Sequence, residues 1–301
     1  MIKIWLEAMR LRTLPVSLSG VVLAVALAMS RGDVRWGAAS LCLLFALLAQ
    51  VASNFANEYY DYVDGIDKKG RAGFRRSVTE GDIKPATLKA VTYATLGVAC
   101  AVGLALLAYG PWWLVIVGAL IAAGVIAYSA GPFPLSHHGL GEVAVFIFYG
   151  IIPVVMTYYL VTGGAMDALA VNGAIATGFM GVNVLLVNNI RDVDDDREAH
   201  KTTSVVIFGR RMATLAYLLN GLAAMSFLAP VWLYFVLQPL IEGGTAWNYL
   251  RLLPLAIYLV LHVATTVKLH RGSGSALNPV LGATARNMLI FTLLLTAALV
   301  L

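Results

Sequence analysis

The sequence predicts an all-α integral membrane protein with nine membrane-spanning helices. Of its 301 residues, 60% are hydrophobic and only 12% are charged, whereas about 25% charged residues are usual in soluble domains. Between Ala90 and Ile190 the only Asp, Glu, Lys or Arg residues are Glu142 and Asp167. One span needs roughly 20 apolar residues, so this interval must hold several helices. Ten-residue segments of alternating polarity are absent, which disfavours a transmembrane β-barrel.

The predicted elements follow the apolar runs in order. Residues 1–14 mix apolar and basic side chains, which is typical of a segment that lies in the headgroup region and turns inward at Pro15. A signal peptide is the alternative, but its basic region would contain Glu7. We expect one domain, residues 1–301, with spans at residues 14–30, 36–57, 87–108, 111–130, 142–162, 167–189, 212–237, 249–269 and 281–301.

The basic residues predict the orientation of these spans. Of the 21 Lys and Arg residues, 18 lie in or next to the N-terminal tail and the connections after even-numbered spans. The opposite side carries only Arg31, Arg35 and Arg251. The positive-inside rule therefore places the N-terminus in the cytoplasm and the C-terminus outside.

A cluster of acidic and amide residues follows the second apolar run on the predicted cytoplasmic side. Residues 54–67 read NFANEYYDYVDGID. If this segment is helical, Asn54, Asn57, Asp61 and Asp64 recur at intervals of three and four and share one helix face.

A second cluster follows the sixth apolar run on the same side. Residues 188–201 read NNIRDVDDDREAHK, with Asn188, Asp192 and Asp196 spaced by four. One such cluster is often only a solvated loop. Two clusters in helical register, each with an asparagine one turn before an aspartate, favour a functional site.

The two clusters have the composition of a magnesium–diphosphate site. Mg²⁺ often uses one or two carboxylates and leaves positions for water and substrate phosphates. Many basic residues, which suit a polyanion, surround the acids: Lys68, Lys69, Arg71, Arg75, Arg76, Arg191, Arg197, Lys201, Arg210 and Arg211. An apolar cavity beneath the diphosphate would suit an isoprenoid tail, so the pattern indicates a prenyl diphosphate. By contrast, His137 and His138 are interpreted as loop residues.

Both clusters resemble the aspartate-rich motifs of the UbiA superfamily of intramembrane prenyltransferases. The likeness is carried by residues 57–61 with 65–67, and by residues 188–197. Four further stretches resemble the branch that prenylates 1,4-dihydroxy-2-naphthoate in menaquinone synthesis: RLRTLP at 10–15, GPFPL with GLGE at 131–142, KTT at 201–203 and LNPVL at 277–281.

The resemblance implies a nine-helix bundle around a central cavity in the inner membrane of a bacterium. It also implies that Mg²⁺ is held through the diphosphate by Asn57, Asp61, Asp192 and Asp196, the expected catalytic residues. Further metal candidates are Asp64 and Asp67. The substrate-binding candidates are Arg10, Arg12, Asn54, Glu58, Lys68, Arg71, Arg75, Glu142, Asn188 and Lys201. The sequence departs from the family pattern at Glu58, usually Asp, and at Gly65 and His200, which replace the third acids.

The implied reaction transfers a polyprenyl group to 1,4-dihydroxy-2-naphthoate with loss of diphosphate and CO₂, giving demethylmenaquinone. The expected partners are these substrates and the lipid bilayer, and not nucleic acid. Neither prenyl chain length nor oligomeric state can be read from the sequence.

Three alternatives stay open. Another branch of the superfamily would use 4-hydroxybenzoate, homogentisate or a tetrapyrrole as acceptor. A CDP-alcohol phosphotransferase would need Asp-Gly-x-x-Ala-Arg, but here Asp64 and Gly65 are followed by IDKK. A transporter would place ionisable residues near the bilayer midplane, whereas this chain concentrates them at one side.

Overall fold

The computed structural model describes residues 2–32, 34–70, 72–73 and 75–300. Within these ranges the regular elements are helices, apart from one isolated bridge between His138 and Thr202. The helices are α1 (Ile2–Ala8), α2 (Leu14–Met29), α3 (Trp36–Val63), α4 (Pro85–Ala105), α5 (Leu114–Ala127), α6 (Gly141–Val145), α7 (Ile152–Thr162), α8 (Ala168–Arg191), α9 (Val193–Glu198), α10 (Ser204–Phe227), α11 (Ala229–Glu242), α12 (Leu253–Arg271) and α13 (Asn278–Val300). A π-helical segment, Phe146–Ile151, joins α6 to α7.

The described helices make this chain an integral membrane protein, but they do not confirm the predicted count of nine spans. Seven helical segments are long and apolar enough to cross a membrane. The pair α10 and α11 is bent by 47° and gives an eighth span if counted as one. The remaining predicted span contains α5, whose 14 residues extend only about 21 Å, against a hydrocarbon core of roughly 30 Å.

Helix α8 lies at the centre of the bundle. Within its most apolar stretch 72% is buried, compared with 17% in the corresponding stretch of the segment that begins with α4. It packs against α2, α7, α10, α13 and the π-helical segment. Small residues permit this close packing, as is common between membrane helices. At Gly150, an added Cβ would lie only 2.3 Å from the Cα of Gly178.

The N-terminal helix α1 lies against α3. The rings of Trp5 and Phe55 meet edge to face with centroids 5.9 Å apart, and Asn54 donates from Nδ2 to the carbonyl of Met9 at 2.8 Å. These contacts hold Arg10, the residue after Met9, beside the last turns of α3.

Candidate active site

A cavity lies among α2, α3, α5, α7 and α8, and its character changes along its length. On α3 the lining runs from Cys42 to Asp61, roughly 28 Å at 1.5 Å per residue. Apolar side chains such as Phe45 line the first part, and polar side chains line the part near the end of α3. The charged or amide-bearing residues in the lining are Arg10, Gln50, Asn54, Asn57, Asp61, Arg76, Glu142, Asn188, Asn189, Asp192, Asp196 and Lys201. Both acid motifs therefore reach one cavity.

Asp61 is the residue on which several of these polar groups converge. It is fully buried and accepts a hydrogen bond from Asn57 Nδ2 at 3.1 Å. Its Oδ2 lies 3.6 Å from Arg76 Nη2 and 3.5 Å from Lys201 Nζ, while Oδ1 lies 3.4 Å from His137 Nε2. Lys201 is the last residue of the second cluster, so the Asp61 carboxylate of the first cluster lies directly against the second.

Arg10 and Asn57 extend the same network toward the N-terminus. Arg10 Nη2 donates to Asn57 Oδ1 at 2.7 Å, and Asn57 Nδ2 also donates to Ser129 Oγ at 3.1 Å. The backbone of Arg10 is left-handed, with φ 51° and ψ 55°, a conformation that is uncommon for residues other than glycine and is often found at functional sites. This turn directs the guanidinium into the cavity.

The second motif breaks its helix at Asp192 (φ −97°, ψ 7°), between α8 and α9. The Asp196 N–H still donates to the Asp192 carbonyl at 2.8 Å, so the spacing of four residues is kept across the break. Arg191 holds the Asp192 carboxylate in a two-point contact, Nε to Oδ1 at 2.7 Å and Nη2 to Oδ2 at 2.8 Å. Arg191 Nη2 also donates to Asn188 Oδ1 at 2.8 Å.

The loop after α3 is tied to the second motif and to the start of α13. Ala72 N–H donates to Asp195 Oδ2 at 3.2 Å, and the Ala72 carbonyl accepts from Asn278 Nδ2 at 3.1 Å. Asn278 Oδ1 in turn accepts from Arg191 Nη1 at 3.1 Å. At Gly73 an added Cβ would lie 2.8 Å from Arg191 Nη2, so any side chain at this position would displace the guanidinium that holds Asp192.

Glu142 lines another part of the cavity, next to the second motif. Its Oε1 accepts from Asn189 Nδ2 at 2.9 Å and from Ser204 Oγ at 2.5 Å. The carboxylate is thus fixed between α8 and the first turn of α10.

Several residues predicted from the sequence do not line the cavity. Arg12 and Asp64 are exposed. Lys68 is also exposed and pairs with Glu198 at 2.6 Å, which lowers the pKa of Glu198 through the hydrogen bond and the nearby positive charge. Arg75 pairs with Asp82 at 2.7 Å.

Two predicted acids support the loop instead. The buried carboxylate of Glu58 accepts from Ser77 Oγ at 2.5 Å and from Val78 N–H at 3.2 Å. Asp67 Oδ2 lies 3.0 Å from Arg76 Nε, so it orients the arginine that reaches Asp61. The predicted residue Arg71 lies outside the described residues.

Sequence reasoning did not select Arg76 or His137 for the site. Arg76 belongs to a run of basic residues in which no local signal separates it from Arg75. His137 was interpreted as a loop residue, yet the structure places it against Asp61. Only the folding of its loop over the end of α3 makes that contact, so no spacing in the sequence could have indicated it.

The donor set at the polar end fits Mg²⁺ bound together with a phosphate ligand. Among the described residues no group of three or more His, Cys, Asp or Glu side chains forms a ready metal site. However, Asp61, Asp192 and Asp196 bring buried carboxylates from both motifs to one cavity. Mg²⁺ commonly takes only one or two carboxylates and completes its octahedron with water and substrate phosphates, so this set suffices.

Known proteins resemble the chain in sequence and in fold. The model of the UbiA prenyltransferase family matches residues 17–278. The chain is 33% identical to the 1,4-dihydroxy-2-naphthoate octaprenyltransferase of Mycobacterium tuberculosis over 295 residues, 98% of this chain and 96% of the relative. It is 36% identical to the Escherichia coli protein of the same name over 211 residues, 68% of each chain.

Solved structures share the fold at low sequence identity. A UbiA homolog from Archaeoglobus fulgidus bound to GPP and Mg²⁺ superposes with a TM-score of 0.64 at 17% identity, covering 99% of this chain and 100% of that chain. The apo structure of a UbiA homolog from Aeropyrum pernix K1 gives a TM-score of 0.66 at 15% identity, covering 94% and 96%.

Proposed function

This chain belongs to the UbiA prenyltransferase family, and from that membership we propose that it transfers a polyprenyl group from a polyprenyl diphosphate to 1,4-dihydroxy-2-naphthoate. The reaction depends on Mg²⁺, releases diphosphate and CO₂, and gives the prenylated 1,4-dihydroxynaphthalene, which is the reduced (quinol) form of demethylmenaquinone. The whole chain, residues 1–301, acts as one domain.

The observation that carries the proposal is the meeting of both acid motifs at the polar end of an apolar cavity. Lys201, beside the second motif, lies 3.5 Å from Asp61 of the first, and apolar side chains extend from there along α3 toward Cys42. This arrangement matches an amphiphilic ligand, because the charged head requires cations and the hydrocarbon tail requires an apolar channel.

We assign the diphosphate to Asn57, Asp61, Asp192 and Asp196, which would hold Mg²⁺, together with Arg76 and Lys201. Bound Mg²⁺ would neutralise charge on the departing diphosphate and so favour cleavage of the allylic C–O bond. Arg76 and Lys201 would place positive charge beside the oxygens of the diphosphate. Their attraction for the diphosphate grows as the leaving group becomes more negative. Asn188 and Asn54 hold neighbouring groups in place.

The apolar part of the cavity protects the reaction from water. Ionisation of an allylic diphosphate leaves positive charge on C1 of the prenyl chain, and water would capture it. Side chains such as Phe148, Val145 and Leu185 line the cavity and would exclude water from it. The acceptor ring is itself the nucleophile, so no nucleophilic side chain is required.

The choice of 1,4-dihydroxy-2-naphthoate rests on the named activity of the relatives and on Arg10. Its guanidinium lies in the cavity, 2.7 Å from Asn57, where it can pair with the carboxylate of an aromatic acid. The N-terminus and the polar end of the cavity face the cytoplasm of a bacterial cell, and the distribution of Lys and Arg supports this orientation.

The test is an assay of purified protein with Mg²⁺, a labelled polyprenyl diphosphate and a panel of aromatic acids. We expect prenylation of 1,4-dihydroxy-2-naphthoate with one CO₂ released per product. Preferential transfer to 4-hydroxybenzoate or homogentisate, rather than to 1,4-dihydroxy-2-naphthoate, would assign the chain to another branch of the family. Absence of transfer to any acceptor would refute the proposal.

A further inference from the structure

We propose that Glu142 is the proton acceptor for the acceptor ring, taking the proton of the hydroxyl next to the ring carboxylate and returning it after CO₂ has left. This assignment rests on the proposed function and adds a chemical role to a residue that the sequence identified only as a substrate-binding candidate.

The hydrogen bonds of Glu142 leave one oxygen available. The two hydrogen-bond donors to this side chain among the described residues, Asn189 Nδ2 at 2.9 Å and Ser204 Oγ at 2.5 Å, both point to Oε1. Among the described residues Oε2 accepts no side-chain or backbone hydrogen bond. Because Glu142 lines the cavity, Oε2 is the oxygen that a ligand hydroxyl can reach.

The charge environment distinguishes Glu142 from other carboxylates in the cavity. Asp61 lies near Arg76 and Lys201, and Asp192 is held by Arg191. Within the described ranges Glu142 forms no ion pair with a Lys, Arg or His side chain, and its hydrogen bonds come from neutral donors. A carboxylate with neutral partners gains a proton without breaking an ion pair, which suits it to general-base chemistry.

The step balances without any proton from solvent. As the carbon bearing the carboxylate forms its bond to prenyl C1, the C1–O bond breaks and its electron pair leaves with diphosphate. The neighbouring hydroxyl gives its proton to Glu142 Oε2, and the O–H electron pair forms a carbonyl, which leaves a β-keto carboxylate on a neutral ring. The C–CO₂ bond then breaks, its electron pair re-forms the aromatic ring and an oxyanion, and protonated Glu142 returns the proton to that oxygen.

The decisive variant is Glu142→Gln, since the amide oxygen can still accept from Asn189 and Ser204 while the amide nitrogen cannot take a proton. We expect kcat to fall by about 10²–10⁴-fold, the usual range for loss of a general base, with Mg²⁺-dependent binding of the prenyl diphosphate unchanged. Glu242→Gln, the same change at an exposed site on α11, is the matched control and should retain full activity.

A series of ring-substituted hydroxynaphthoates separates proton transfer from a structural role. For each substrate, dividing the wild-type kcat by the Glu142→Gln kcat removes the effect of the substituent on ring reactivity. We expect this ratio to decrease as the hydroxyl becomes more acidic. A kcat within threefold of wild type, or a ratio that stays constant across the series, would overturn the role of Glu142 while leaving the proposed function intact. A wild-type protein that prenylates none of these acids would overturn both.

Discussion

Replacing Asp61 with asparagine should remove most of the prenyl transfer while the protein remains folded. The side chain is fully buried, and its Oδ2 lies 3.5 Å from Lys201 Nζ and 3.6 Å from Arg76 Nη2. At an effective dielectric constant of about 20, a pair of unit charges at this distance interacts by roughly 5 kcal/mol before desolvation is counted. Loss of one partner of a buried pair typically costs about 3–5 kcal/mol of stability.

The effect on turnover is a separate quantity. Loss of one charged group that acts on the leaving diphosphate should raise the activation free energy by about 3–4 kcal/mol, a 10²–10³-fold decrease in kcat. The assay is transfer from labelled prenyl diphosphate, normalised to the monodisperse folded fraction of detergent-purified protein, with thermal unfolding measured in parallel.

Asp194→Asn supplies the matched control for this substitution. Asp194 belongs to the second acid cluster, but its side chain is 92% exposed and, among the described residues, pairs only with Arg197. We expect wild-type turnover and an unchanged unfolding midpoint. If folded Asp61→Asn protein transfers prenyl groups within threefold of the wild-type rate, our assignment of Asp61 to the diphosphate site is wrong.

Three further outcomes are expected. Chelation of divalent cations should stop turnover and added Mg²⁺ should restore it, so activity in excess chelator would contradict the metal requirement. Arg76→Lys should lower kcat/KM for the prenyl diphosphate by about tenfold or more, because lysine cannot reproduce the planar contacts of arginine with Asp61 and Asp67; a change below twofold would remove Arg76 from the site. Lys68→Ala should leave turnover within twofold of wild type, since an exposed ion pair contributes little; a tenfold loss would show that Lys68 reaches the diphosphate after all.

The sequence by itself determined the class of the protein and the position of its acid clusters. Hydropathy is a local property, so long apolar runs reveal membrane helices without knowledge of their neighbours. The spacing of Asn57 and Asp61, and of Asn188 and Asp192, is likewise local, because residues four apart share a helix face. These two features already indicated a carboxylate-rich site beside the membrane.

Only the tertiary structure decided which side chains form the site and which surround it. Arg75 and Arg76 are adjacent, yet one pairs with Asp82 at the surface and the other reaches buried Asp61. His137 meets Asp61 across 76 residues of chain, and Glu142 is fixed by Ser204 across 62. Contacts over such separations depend on how helices cross and loops fold back, and those angles follow from packing of the whole bundle, which local spacing does not encode.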